Sequence, residues 1–237
     1  MNDKIKTNGN MYDGTITYNP IGGECPHSCK YCAVKKMFTR KLPGIISKYS
    51  GELRLDKKAL KKNLGKGNTW FLCGVGNDLF ADGVIFEWVN RIIEHCNKYP
   101  ENTYMLQTKN AANMYDFFSQ YGKLPDNYMI GITLETDNDL LSLEYSGGNY
   151  PKRRAFWLSQ IEHKRKYVTI EPIMKFDLDI MVAWIKEINP ELVYIGFNSL
   201  RSVQLPEPTK EETIALITEL SKFTTVKIKD NAKNILK

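Results

Sequence analysis

The sequence predicts an α/β fold with a mostly parallel sheet, either curled towards a barrel or left open and doubly wound. Three observations predict it. From residue 69 onward, short apolar runs alternate with longer amphipathic stretches, the texture of repeated strand–helix units. Units in that order need right-handed crossovers, which set the strands parallel. The 237 residues are 42% hydrophobic, with 16 Gly and 10 Pro as punctuation, enough to bury one core. We expect a single domain over residues 1–237 with a basic insertion at about 33–67.

Residues 14–20 combine β-branched and aromatic residues and stop at Pro20, so they read as a first strand delivering a loop. Residues 33–40 suit a short helix. Asp56 stands as an N-cap before a lysine-rich helix that ends near Gly65 and Gly67. The second strand falls at 69–74. Ile85, Trp88, Val89, Ile92, Ile93 and Cys96 then recur at helical spacing until Pro100. A third strand at 103–107, a helix at 111–121 and a fourth strand at 128–134 repeat the unit. Residues 135–150, polar and glycine-containing, read as a long loop before a helix at 155–162 and a fifth strand at 167–170. Leu178, Met181, Val182, Ile185 and Ile188 form the next helix face, followed by a sixth strand at 192–196. Thr209 with Glu212 is a capping-box signature for the last helix, and 225–228 suits a short seventh strand.

No stretch approaches the ~20 apolar residues of a membrane helix, and the charged start lacks a signal-peptide core, so a soluble, cytoplasmic protein without a membrane partner is expected. The net charge of +6 is uneven. Residues 30–66 hold twelve Lys or Arg against Glu52 and Asp56, leaving the rest of the chain at −4. Lys57, Lys58, Lys61 and Lys62, with Lys152, Arg153, Arg154 and the 164–166 run, suit a phosphate-tracking surface or, equally, a solvated face. Phe38 and Tyr49 are stacking or packing residues.

Five cysteines are too few and too unevenly placed for a secreted disulfide framework. Three of them lie in Cys25-Pro-His-Ser-Cys29-Lys-Tyr-Cys32. Structural zinc usually takes four protein ligands, whereas a three-cysteine 4Fe-4S cluster keeps one iron open. Zinc with His27 as the fourth ligand is the rival reading, crowded because His27 is two residues from Cys25 and Cys29.

This motif, with Tyr31 as the aromatic residue before the third cysteine, resembles that of the radical S-adenosylmethionine (radical SAM) superfamily. The runs Asn77-Asp-Leu-Phe80, Gln107-Thr-Lys109 and Ile170-Glu-Pro172 are similar to those of a small phage-associated branch. The resemblance implies a partial (β/α)6 barrel in which Cys25, Cys29 and Cys32 hold a 4Fe-4S cluster. It implies reductive cleavage of S-adenosyl-L-methionine (AdoMet) and abstraction of a substrate hydrogen, with a low-potential flavodoxin or ferredoxin as electron donor. By position, Gly74, Gly76, Asn77 and Asp78 would meet the AdoMet amino group, Lys109 its carboxylate, Glu135 its ribose and Asn198 its adenine. Glu171 ends the fifth strand as a further polar ligand, and Cys73 is a candidate hydrogen donor. A nucleotide or nucleic acid is the expected substrate, with a small metabolite or peptide as alternative. A third reading is a non-catalytic, metal-clipped nucleic-acid-binding protein.

Overall fold

The computed structural model of the protein describes residues 9, 13–34, 37, 42–200 and 202–232. In chain order the elements are β1 (Thr15–Tyr18), β2 (Ile21–Gly22), α1 (Pro43–Tyr49), β3 (Arg54–Leu55), β4 (Thr69–Leu72), α2 (Phe86–Asn97), β5 (Thr103–Thr108), α3 (Ala111–Tyr121) and β6 (Tyr128–Thr133). They continue with α4 (Asp139–Tyr145), α5 (Pro151–Gln160), β7 (Lys166–Ile170), α6 (Leu178–Ile188), β8 (Leu192–Ile195), α7 (Lys210–Leu220) and β9 (Thr225–Ile228). Seven strands, β1-β4-β5-β6-β7-β8-β9, form one sheet, and every pairing is parallel. The sheet curls into a half-barrel, the partial (β/α)6 architecture.

Strand alternation separates two buried faces. Trp70, Leu72, Tyr104, Leu106, Tyr128, Ile130, Val168 and Ile170 meet the helices in the main core. Phe71, Met105, Met129, Tyr167 and Leu192 point the other way and form a second, smaller cluster that plugs the barrel lumen. The Tyr167 ring crosses Gly131 to donate from its hydroxyl to the Leu106 carbonyl at 3.0 Å.

All seven strands stand where the sequence put them, and so do the helices at 86–97, 111–121 and 178–188. The capping box of Thr209 and Glu212 is formed in both directions. Four expectations need correction. Residues 135–150 are not all loop, because the Asn138 side chain accepts from Leu141 N and caps α4. The lysine-rich helix shrinks to a single 3-10 turn at Ala59–Lys61; Asp56 Oδ1 accepts from Lys58 N and Ala59 N just before it, and the chain turns extended at Lys62. Helix α1, unexpected from the sequence, opens with Pro43 in its first turn. Arg154 and Lys166 are buried rather than part of a basic surface. The expected helix over 33–40 lies largely outside the described residues, as does Phe38.

The basic insertion folds over the β1 edge. Its short strand β3 pairs antiparallel with β2, and Asp56 N bonds to Pro20 O just beyond β1. From there the chain descends the outside. His95, in the last turn of α2, bonds to Lys62 O, and Trp70 Nε1 donates to Leu64 O beside the start of β4. Lys57, Lys58, Lys61 and Lys62 are exposed along this descent, with Lys62 Nζ 4.6 Å from the Trp70 ring centroid. Tyr49 is packing, not a stacking platform: it is buried and its hydroxyl accepts from Asn19. Among the described residues, no helix is long and apolar enough to cross a membrane.

An alanine at Gly131 would place its Cβ 2.6 Å from the Tyr167 ring. Gly131→Ala is expected to cost about 1–3 kcal/mol, as overpacking in a filled core does, measured by urea unfolding. Unchanged stability would mean that the plug can shift.

Candidate active site

The carboxyl ends of the parallel strands open into a cavity of about 320 Å³. Cys25, Cys29 and Cys32 line it together with His27 and Tyr31 of the same loop. Two turns set that loop, Ser28 N to Cys25 O and Cys32 N to Cys29 O, each 3.2 Å. The loop docks on the segment after α4: Lys30 N bonds to Tyr145 O at 2.8 Å, Gly147 N to His27 O at 2.6 Å, and Cys29 Sγ lies 3.1 Å from Ser146 Oγ.

Asp78 ties this loop to the sheet. Its Oδ2 accepts from His27 Nε2 at 2.8 Å, Thr108 Oγ1 at 3.0 Å and Lys109 N at 2.8 Å, and its Oδ1 accepts from Phe80 N at 2.8 Å. Burial alone would raise this carboxyl, but the His27 contact and the backbone donors hold it below the usual carboxylate range. Asn77 Nδ2 adds a bond to Gly23 O. Both side chains are therefore spent on holding the loop. Gly76 has a positive φ of 96°, and a Cβ there would meet the Tyr49 ring at 2.5 Å; the Phe71 ring fills the same space at Gly74. Packing accounts for these two glycines.

A second network crosses from the cysteine loop to α5. Glu135, fully buried after β6, takes Arg154 Nη1 on Oε2 at 2.7 Å and both Lys109 Nζ and the Tyr31 hydroxyl on Oε1. Lys109 Nζ also reaches Tyr31 Oη at 2.9 Å. Burial opposes the Glu135 charge, but Arg154 and then Lys109 hold its carboxyl down at about 2. Burial and the adjacent carboxylate push the Tyr31 hydroxyl up, so it stays protonated and donates. Arg154 further binds Thr133 O and Ser142 Oγ.

Glu171 pairs with Lys229, which follows β9, and both line the cavity. Asn198 also lines it, although its side chain folds its own loop, donating to Leu200 O and Val203 O and accepting from Leu200 N. Cys73 lies in the main core with its thiol pushed by burial up to about 12, and it is not among the cavity-lining residues.

The structure thus gathers Tyr31, Lys109 and Glu135 in one network and Asp78 with the cysteines, and sets Cys73 apart. Sequence reasoning missed Ser146 and Lys229, cast His27 as a rival zinc ligand and Arg154 as a surface cation, and left Gln107 at its strand end without a role. A signal for Arg154 existed: Pro151, Arg154, Ala155 and Leu158 repeat at helical spacing and all are buried on one face of α5.

Among the described residues, no three His, Cys, Asp or Glu side chains converge within reach of one metal ion. His27 Nε2 faces Asp78 instead of a thiol. Three soft thiols on one short loop, all lining the cavity and, among the described residues, without a fourth protein ligand beside them, have the donor chemistry of a three-cysteine iron–sulfur site.

The sequence profile of a family described as Protein of unknown function (DUF5131) matches residues 10–188. The chain belongs to this family. A search of curated proteins finds no match for this DUF5131 member. Among solved structures, spore photoproduct lyase with bound AdoMet and dinucleoside spore photoproduct is similar at TM-score 0.60 and 8% identity, over 96% of this chain and 79% of its own. SuiB of Streptococcus suis bound to precursor peptide SuiA gives TM-score 0.52 and 10% identity, over 91% of this chain but only 48% of its own. The enzyme anSMEcpe with bound AdoMet and a peptide gives TM-score 0.52 and 12% identity, over 90% and 62%. At these identities the likeness is one of fold: the DUF5131 chain shares the partial-barrel architecture of these structures.

The low carboxyl of Glu135 makes a pH prediction. A folded value of about 2 against the ordinary 4.5 stabilises the protein above pH 4.5 or so and is lost as pH falls towards 2. The stability gap between wild type and Glu135→Gln should be widest near neutrality and close across that window in acid titrations of unfolding. Parallel curves would remove Glu135 as the buried charge.

Proposed function

We propose that this chain is a radical SAM enzyme whose substrate is a nucleotide or nucleic acid. The observation that carries the reading is the placement of Cys25, Cys29 and Cys32 on one wall of the cavity at the carboxyl ends of the strands. Those three residues would hold a 4Fe-4S cluster. When bound, that cluster with AdoMet supplies an electron and a reactive carbon able to take hydrogen from an unactivated C–H bond.

The chain's own residues would position and enclose this chemistry. Asp78, through His27, fixes the cysteine loop against the ends of β4 and β5. Lys109 shares Glu135 with Arg154, so this buried cluster of one carboxylate and two cations carries spare positive charge beside the cavity. A carboxylate such as that of AdoMet would be welcome at Lys109. Glu135 is occupied by its three donors, and its part in this proposal is to hold Lys109 and Tyr31 rather than to touch the ribose. Glu171 and Lys229 form the far rim, opposite the cysteines, where a substrate would enter. Asn198 shapes that rim through its loop. Cys73 has no role here, since a protonated thiol outside the cavity neither donates into it nor ligates.

The nucleic-acid part draws support from the exposed lysines of the insertion and from a structural neighbour that carries a dinucleoside. The cavity would take one base-sized group while the backbone stays outside. The peptide-bound neighbours keep a peptide substrate as the alternative.

Anaerobic reconstitution with iron and sulfide, then AdoMet and dithionite, should yield 5′-deoxyadenosine, quantified by chromatography. Cys29→Ala should abolish both the cluster absorbance and the product; stoichiometric zinc in oxygen-free protein would refute the reading. Binding of labelled DNA and RNA should weaken steeply as salt rises from about 50 to 200 mM, by an order of magnitude or more if several phosphates are contacted. A salt-independent affinity would exclude the nucleic-acid substrate.

A further inference from the structure

One part of the lumen is used neither by the cysteines nor by the ion pairs. Gln107 on β5, Thr133 on β6 and Thr169 on β7 share the inward face, each two residues beyond Met105, Gly131 and Tyr167 respectively, and all three line the cavity. Gln107 Nε2 has two hydrogens and places them on Thr133 Oγ1 at 2.6 Å and Thr169 Oγ1 at 2.8 Å. Its carbonyl oxygen, Oε1, is buried without a partner. Thr169 has one hydroxyl proton and two acceptors within reach, Ile132 O at 3.3 Å and Thr133 Oγ1 at 3.2 Å; when it turns to Thr133, the Thr133 proton is released towards the cavity. The shelf therefore offers one vacant acceptor beside a threonine hydroxyl that is able to turn and donate. Leaving a buried amide oxygen unmet costs about 1–3 kcal/mol, which a ligand donor would recover.

We propose that this shelf reads the N–H and adjacent C=O of a cis-lactam ring in the substrate, the edge carried by a thymine- or uracil-type base. The inference rests on the radical SAM reading above and names the part of the substrate that lies in the lumen. The donor count selects the ring. A lactam brings a single N–H to the single vacant acceptor and lets Thr133 donate to the neighbouring carbonyl. An exocyclic amino group, as on cytosine or on the adenine of AdoMet, brings a second hydrogen that the occupied threonine oxygens do not take. Charge points the same way. An anion placed on the shelf would face the unpartnered Gln107 oxygen. Phe197 and Pro172 add an apolar wall against which a flat ring can lie.

The test is isothermal titration of the purified chain with thymidine, N3-methylthymidine and deoxyadenosine, each with and without saturating AdoMet. Thymidine should bind, and methylation at N3 should weaken it about tenfold or more, the worth of one buried hydrogen bond. Gln107→Leu should lose thymidine affinity by a similar factor with an unchanged circular dichroism spectrum. Gln107→Glu, which keeps an acceptor in place, should still prefer thymidine over its N3-methyl form. Deoxyadenosine should bind no better than N3-methylthymidine, and AdoMet should leave thymidine bound. Equal binding of the methylated nucleoside, unchanged affinity in Gln107→Leu, displacement by AdoMet or no thymidine binding at all would each overturn the proposal. A chain that forms 5′-deoxyadenosine but ignores thymidine refutes the shelf alone. One that binds thymidine through Gln107 yet never cleaves AdoMet refutes the radical reading alone.

Discussion

The carboxylate of Asp78 is buried, and its charge survives only because four donors from three parts of the chain converge on it. Two of those donors, Thr108 Oγ1 and Lys109 N, sit at the end of β5, one belongs to the turn after β4, and the fourth is His27 inside the cysteine loop. A short loop that follows Gly22-Gly23 and is built of two turns has no regular secondary structure of its own to fix it. Hydrogen bonds to a charged group contribute about 1.5–3 kcal/mol each where the alternative is burial without a partner. Through them the position of the three thiols relative to the strand ends is inherited from the sheet. The second clamp, Tyr31 on Glu135 with Lys109 and Arg154, acts on the other end of the same loop. Together they leave the loop little room to move in either direction along the cavity wall.

The fold was legible because it is written in periodicities. Each strand of the main sheet is a short apolar or β-branched run, and α2 and α6 show unbroken apolar faces. The cysteine spacing was equally legible, since all three thiols lie within one loop. What could not be read were contacts made across the barrel. Arg154 sits in a Lys-Arg-Arg run that looks like surface, yet its place on the buried face of α5 is fixed by the helical repeat, and only the fold shows Glu135 waiting opposite. Lys166 hides in the same way, as the first residue of a fully buried strand whose ammonium bonds to Ser159 O. Glu135, Asp78 and Asn198 stand at the strand ends where the sequence pointed, but their side chains turn out to organise the site's walls. Position predicted the neighbourhood and not the partner, because partners come from strands and helices distant in sequence.

The lumen is graded. At its base Phe71, Met105, Met129 and Tyr167 exclude water, and above them comes a neutral layer of amide and hydroxyls. Paired charges and the thiols lie at the mouth. A low-dielectric floor strengthens hydrogen bonds made just above it, and equally raises the cost of any left unmade. Such a gradient suits a ligand whose buried end is neutral and hydrogen-bonding and whose outer end is polar or charged.

The positive charge of residues 30–66 acts at a different range. Of its described lysines, Lys57, Lys58, Lys61 and Lys62 run down the outside of the β1 edge towards the strand starts, away from the cavity mouth, whereas Lys30 belongs to the cysteine loop. At physiological salt their field fades over roughly 8 Å, so they are poorly placed to stabilise charge at the reacting centre. They are well placed to hold a long polyanion against the barrel wall and raise its encounter rate. On the proposed reading, recognition and attraction would be separated in this chain: the neutral shelf inside would discriminate by hydrogen-bond pattern, and the basic wall outside would gather by charge alone. A small neutral metabolite would have no use for that wall, whereas a nucleic acid, with phosphates outside and a base that can turn inward, uses both.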